Sequence, residues 1–305
     1  MILAHALLFA DADFTVVDVA HEYVSFVGTF FIVGPAAFYF LLLRPAFRRN
    51  SDAMRVAGRS AARIGVVGAL LRLLSIGMSV STAMTQKQLS LVEALTRRPS
   101  LVVGEIVTLV ALIAFATAAA AYGDALGSWA VAGIATLIIA FRGLITTDIE
   151  DVVNPIHVFA ASMWIGTLFV TVASGITTAL SGAFARSDRG PAVATLVNRF
   201  STLALWSAGV LVLTGVTTAY LHLRKVSALW TSVYGETLIV KLCLVAVVFW
   251  LGAFNNWRMK PALGTEESAR RLNRTATYEI AVAAIVLIVT AVLVNLPAPG
   301  EQMAH

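Results

Sequence analysis

The sequence predicts an all-α polytopic membrane protein with eight transmembrane helices, and three observations lead to that prediction. The 305 residues are 59% apolar and only 13% charged. Their mean hydropathy of +0.85 lies outside the usual range for soluble domains. The apolar residues form repeated blocks of about twenty residues or more, long enough to cross a roughly 30 Å hydrocarbon core as helices, whereas a β-barrel would show shorter alternating segments.

Charged breaks and breaks that contain Gly or Pro divide the chain into eight candidate spans. The spans cover residues 16–43, 63–84, 101–122, 125–146, 152–180, 200–222, 235–257 and 277–296. The residues before the first span have no basic start and no small-residue cleavage site, so they are not predicted to be a signal peptide. No stretch between spans is long enough for a core of its own, and no hydrolase, NTPase or dinucleotide motif stands in a suitable context. We therefore expect no enzyme.

The basic residues are distributed unevenly between the two sides of the predicted bundle. Of the 22 Lys and Arg residues, fourteen lie in loops on one side, five lie on the other side, and Arg72, Arg142 and Lys241 lie within spans. By the positive-inside rule the first side is cytoplasmic, so both termini face outward. The topology accounts for the basic pI of 9.7, and nucleic-acid binding is not expected.

All five histidines then fall on the outer side. They are His5, His21, His157, His222 and His305. Most of the acidic residues share that side, and an acidic, histidine-bearing surface attracts cations.

The first four spans align with the last four as an internal repeat. His21 superposes on His157 at an offset of 136 residues, and Met84 superposes on His222 at an offset of 138. The two halves cover residues 1–150 and 151–305. Because each half has an even number of spans, both halves keep the same orientation, which predicts a parallel repeat about an axis along the membrane normal.

Four residues on the outer side are candidate metal ligands. His21 and His157 open the leading spans of the two halves, while His222 and Met84 close the second span of each half. Imidazole and thioether groups bind copper, and thioether selects the soft Cu(I) ion in particular. Polar groups at membrane depth usually face the bundle interior, so these residues are functional candidates.

Other polar residues have competing interpretations. Glu105 and Glu236 open the third and seventh spans, where a carboxylate either stabilises a helix N-terminus or relays cations. Lys241 lies five residues after Glu236 and is a candidate partner for it across the interior. For Arg72 we expect snorkelling or bonds to backbone carbonyls.

Three segments of the second half carry a family resemblance. They read NPIHVFAASMWIGTLF, FSTLALWSAGVLVLTGVTTAY and YGETLIVKLCLVAVVFWLGAFNNWRMKPAL. Over roughly residues 150–296 the chain resembles the copper resistance protein D family (CopD). The resemblance implies a bacterial inner-membrane protein that handles copper between periplasm and cytoplasm, often together with a periplasmic copper carrier protein.

The resemblance also assigns positions. His157 matches the outer-face histidine of the family, with Trp164, Gly166, Tyr234, Gly235 and Lys241 as framework positions. His222 and Met84 have no counterpart in the family motifs.

The leading hypothesis is a copper-handling protein that moves copper towards the cytoplasm through an outer-face site of His21, His157, His222 and Met84. The alternative is an electron-transfer protein in which the same histidines are axial ligands of haem b. A third possibility is a scaffold or assembly factor whose histidines bind nothing.

Overall fold

The computed structural model describes residues 15–86, 90, 93, 99–121, 123–141, 149–223, 225–260 and 263–297. His5, His305 and the amino-terminal segment lie outside these ranges. In this part of the chain the regular structure is helical, and the one β-type pairing is an isolated bridge between Leu263 and Thr265. The all-helical fold predicted from the sequence is therefore confirmed.

The main helices of the described residues are numbered α1 to α8. They are α1 Val16–Phe47, α2 Ser51–Gln86, α3 Pro99–Ala120, α4 Leu126–Phe141, α5 Val152–Ala179, α6 Arg186–Leu223, α7 Val233–Met259 and α8 Glu266–Val294. The wider turns of a π-helix occur in three of these helices. They lie at Phe38–Leu43 in α1, at Ser162–Gly166 and Thr171–Ile176 in α5, and at Asn255–Met259 in α7.

Seven of the eight helices are long and apolar enough to cross a membrane. The remaining helix, α4, is apolar but has only 16 residues, slightly fewer than the roughly 17 to 25 residues that a spanning helix needs. Residues 142–148, the end of the predicted fourth span, lie outside the described ranges. The eighth span therefore stays a prediction.

Three helices begin more than ten residues before their predicted spans, all on the side predicted to be cytoplasmic. Helix α2 begins at Ser51 and not at 63, α6 at Arg186 and not at 200, and α8 at Glu266 and not at 277. Hydropathy marks only the apolar part of a helix, whereas backbone hydrogen bonds continue through charged residues. In α8 the first turns are stabilised by the pairs that Arg270 and Arg271 form with carboxylates four residues earlier.

Helix α1 lies at the centre of the bundle. It packs against α2, α4, α5 and α8, and 72% of its most apolar window is buried, compared with 6% for α6. Ile32, Phe38 and Leu42 are fully buried on it. The other helices are therefore arranged around α1.

Helices α1 and α5 touch through their backbones at Gly34 and Gly166. A Cβ atom added to Gly34 would overlap the backbone of Gly166, and one added to Gly166 would overlap the carbonyl oxygen of Phe30. Glycine allows this approach because it has no side chain, as in other close crossings of membrane helices. The crossing fixes the two leading helices against each other.

We expect Gly166→Ala to destabilise the folded protein by about 1 to 3 kcal/mol, because the new methyl group meets backbone atoms that have little room to move. Gly209→Ala in α6 is the matched control, since nothing lies within 4 Å of a Cβ atom there. Thermal unfolding in detergent, followed by tryptophan fluorescence, measures the difference. Equal melting temperatures for the two variants would contradict the close backbone approach of α1 and α5 at Gly166.

Candidate functional site

The ring of His157 lies between α5 and α6. Its Nδ1 atom is 2.9 Å from the hydroxyl oxygen of Thr214. Gly215 leaves room for the ring, since a Cβ atom added there would lie 3.4 Å from Cε1 of His157. The imidazole is half-buried and is positioned by α6.

The contact with Thr214 assigns the tautomer of His157. The Thr214 hydroxyl donates its own hydrogen to the carbonyl oxygen of Val210 at 2.7 Å. Its oxygen therefore accepts from His157, so Nδ1 carries the hydrogen and Nε2 keeps its lone pair. This is the form of histidine that binds a metal ion, held in orientation by a hydrogen bond through the other ring nitrogen.

His222 has the same tautomer through a different contact. Its Nδ1 atom is 2.9 Å from the backbone carbonyl oxygen of Thr218, and because a carbonyl only accepts, Nδ1 donates and Nε2 keeps its lone pair. The ring is parallel to that of Tyr234 on α7, with 5.9 Å between centroids.

One face of α6 connects the two histidines. Thr214, Thr218 and His222 follow at four-residue spacing, which places them on one side of the helix. Thr214 contacts His157, and the Thr218 hydroxyl donates to Asn154 of α5 at 3.4 Å. From Thr214 to His222 the helix rises about 12 Å. His157 and His222 therefore occupy two successive positions along α6.

His21 has a different environment between α1 and α2. Its Nε2 atom lies 3.1 Å from the hydroxyl of Ser75 and 2.7 Å from that of Ser79. Its Nδ1 atom lies 3.4 Å from the carboxylate of Glu22. Both ring nitrogens of His21 thus have protein partners.

A cavity lies between the helices that carry His21 and His157. Its volume is about 260 Å³, and its polar lining residues are Thr29, Arg72 and Asn154. The Arg72 guanidinium donates to the hydroxyls of Ser25 at 3.0 Å and Thr29 at 3.3 Å. The mid-span arginine is therefore bonded to hydroxyl groups of α1, which the sequence did not predict.

Lys241 lies close enough to His157 to interact with it electrostatically. The ion pair between Lys241 and Glu236 that the sequence suggested is absent from the described residues. Five residues correspond to about 140° around a helix, so the two side chains point in different directions. Glu236 is exposed in the first turn of α7, beside the N-cap Ser232, where a carboxylate suits the helix dipole.

The other candidates from the sequence are distributed over the bundle. Met84 is 39% exposed near the end of α2, and Gly77, two turns before it, has no neighbour near its Cβ position. Glu105 is half-buried on α3, whose main contacts are with α2 and α4. Trp164, seven residues after His157, is 6% exposed and packs against Phe249 of α7.

Sequence reasoning missed a buried carboxyl group, Glu279 of α8. It is 2% exposed, and its Oε2 atom accepts from the side-chain amide of Asn255 at 3.1 Å. The predicted eighth span began at residue 277 and so placed Glu279 near its boundary. Helix α8 begins at Glu266, which places Glu279 almost halfway along the helix. The signal available in the sequence was an acid inside an apolar span.

Within the described ranges, no three His, Cys, Asp or Glu side chains are placed to hold one metal ion together. The structure brings His157 together with Thr214 and the α6 face that leads to His222, and it places His21 against α2. The joint site of His21, His157, His222 and Met84 stays a prediction.

Part of the chain is similar in sequence to known proteins. Residues 194–293, which cover most of α6 to α8, match the model of the copper resistance protein D family. The chain is 30% identical over 146 residues to the copper transport protein CutJ of Bacillus subtilis (strain 168). That alignment covers 48% of this chain and 25% of the relative, so the chain spans about a quarter of the relative's length. No solved structure matches.

The protein is thus a multi-pass helical membrane protein. Its helices α6, α7 and α8 match the model of the copper resistance protein D family, which confirms the resemblance recognised in the sequence. The matched residues include His222, Glu236, Lys241 and Glu279, whereas His157 lies before them.

The assigned tautomer of His157 predicts the effect of Thr214→Val. Without the hydroxyl acceptor, Nδ1–H loses its partner, and we expect a mixture of tautomers in place of one. Solid-state ¹⁵N NMR of histidine-labelled protein measures the populations, and Thr217→Val, whose hydroxyl bonds to its own helix, is the control. An unchanged His157 spectrum in Thr214→Val would contradict the assignment.

Proposed function

We propose that this protein moves copper ions from the periplasm towards the cytoplasm across the bacterial inner membrane, without enzymatic activity. The observation that carries the proposal is the pair His222 and His157, which both keep a free Nε2 lone pair along one face of α6. Neutral imidazole nitrogen is a good copper ligand. The family match over α6 to α8 and the copper transport protein among its relatives support the same function.

In this proposal copper enters at His222 and passes to His157. The two ligands lie about 12 Å apart along α6, so they act in sequence and each completes its coordination with water or with a donor from a periplasmic copper carrier. Successive weak sites suit transport, because an ion must leave each site as readily as it enters.

His21 and Met84 are the proposed counterparts in the first half. Because both ring nitrogens of His21 already have partners, copper must displace the hydroxyls of Ser75 and Ser79 to bind there. We therefore propose that the second half has the stronger site and that His21 contributes less.

We further propose eight spans in two parallel four-helix halves with both termini in the periplasm. Two features support the repeat. The leading histidine of each half meets hydroxyl groups on the following helix, namely Ser75 and Ser79 for His21 and Thr214 for His157. In addition, α4 and α8, the last helices of the halves, both pack against α1 and α5.

If His157 and His222 are copper ligands, we expect His157→Ala and His222→Ala each to lower the affinity of the protein for copper. Loss of a ligand removes a direct metal bond, so we expect at least the 10- to 100-fold loss of affinity that removal of an outer-shell partner causes. Copper titration of purified protein against a Cu(I) chelator measures it, with His5→Ala as the control. Wild-type affinity in both variants would refute the site.

The same preparation tests the haem alternative. Bound haem b gives an intense Soret band, whereas the copper proposal predicts a nearly colourless protein with stoichiometric copper. A Soret band that disappears in His157→Ala would favour the electron-transfer function.

The proposed topology predicts that alkaline phosphatase fused after residue 305 is active, because this enzyme folds in the oxidising periplasm. A fusion within the loop between α1 and α2, at Asn50, should be inactive. A reporter that is active only in the cytoplasm when fused after residue 305 would overturn the orientation and would place the histidines on the wrong side.

A further inference from the structure

Lys241 places an ammonium group within the membrane-spanning part of α7. The residue is half-buried, and no ion pair among the described residues includes it. Glu236 is exposed on another side of the helix. The carboxyl group of Glu279 lies beside Gly252, which is eleven residues, or about 16 Å, further along α7 than Lys241. Neither acid therefore neutralises the ammonium group.

The contact between the ends of α6 and α7 sets the level of Lys241 in the bundle. At this contact the ring of His222 lies parallel to that of Tyr234. Seven residues are two helical turns and return to nearly the same face of a helix. Two turns back along α6 lead to Gly215, and two turns forward along α7 lead to Lys241. Because a Cβ atom added to Gly215 would lie 3.4 Å from Cε1 of His157, Lys241 is at the level of the His157 ring.

The packing of Trp164 gives the same level for Lys241. Trp164 lies seven residues after His157 on α5, and its ring is 5.0 Å from that of Phe249 on α7. Lys241 lies eight residues before Phe249, which is a similar distance along the helix. It shares a face of α7 with Val248, two turns later, which is buried in the same cluster as Trp164. Lys241 therefore faces α5, and it is close enough to His157 to interact with it electrostatically.

A metal ion bound to Nε2 of His157 is repelled by the Lys241 ammonium group. Coulomb repulsion is proportional to the charge of the ion, so a divalent ion at this position is repelled twice as strongly as a monovalent ion. Salt screens this repulsion little, because both side chains are partly buried. Since affinity depends exponentially on energy, the factor lost by a divalent ion is the square of the factor lost by a monovalent ion.

We propose that Lys241 makes the site at His157 selective for monovalent over divalent metal ions. This inference rests on the proposed copper function and names its substrate as Cu(I). Imidazole also binds Zn(II) and Cu(II), and these are the ions that the ammonium group disfavours. The same repulsion keeps the binding of Cu(I) weak, which suits transport because the ion must also leave the site.

Removal of the charge tests the selectivity. Lys241→Met keeps a long unbranched side chain without the ammonium group. We expect it to raise the affinity for Cu(I) roughly tenfold and the affinity for Zn(II) roughly a hundredfold. Competition with chelators of known affinity, under anaerobic conditions for Cu(I), measures both values for the site that His157→Ala removes.

Two further variants are the controls. Lys241→Arg keeps a positive charge at the same position, and Lys260→Met removes a charge directly after α7, so both should keep the wild-type ratio of the two affinities. A gain for Zn(II) in Lys241→Met that is no larger than the gain for Cu(I) would overturn the selectivity and leave the copper function intact. Binding of both ions that His157→Ala does not change would refute the proposed copper site and the selectivity with it.

Discussion

Backbone contact between α1 and α5 at Gly34 and Gly166 is the constraint that organises this bundle. Two helices that meet without side chains between them cannot slide or rotate without overlap, so the crossing fixes their relative position. From this crossing, the amino-terminal part of α1 carries His21 towards α2, and the amino-terminal part of α5 carries His157 towards α6. The cavity lined by Arg72 lies between these two amino-terminal segments.

The second half contains a series of polar groups at increasing depth. His222 and His157 lie along α6, Lys241 lies close enough to His157 to interact with it electrostatically, and Glu279 lies beside Trp164, which packs with Val248 and Ala283. Each group would be costly alone in lipid, and all of them except His157 lie among the residues that match the copper resistance protein D family. The first half supplies packing around α1, while the family residues cover α6 to α8. This division agrees with a functional site that lies mainly in the second half.

Several site residues could be found from the sequence because their position along a helix was informative. His157 and His222 stand at the ends of apolar blocks, and Trp164 belongs to a recognisable motif. Glu279 was missed because hydropathy begins a span at its first apolar residue, whereas helix α8 begins eleven residues earlier. The pairing of Lys241 with Glu236 failed because sequence spacing ignores the direction in which each side chain leaves the helix.

The sequence by itself determined the membrane-spanning helical class and the resemblance of α6 to α8 to the copper resistance protein D family, since both depend on local composition and on motifs along one chain. Only the tertiary structure decided which groups meet. The tautomers of His157 and His222 depend on hydrogen bonds with Thr214 and Thr218, and the burial of Glu279 depends on packing of α5 and α7 against α8. The rotation of each helix about its axis sets these contacts, and that rotation is fixed by close packing with neighbouring helices.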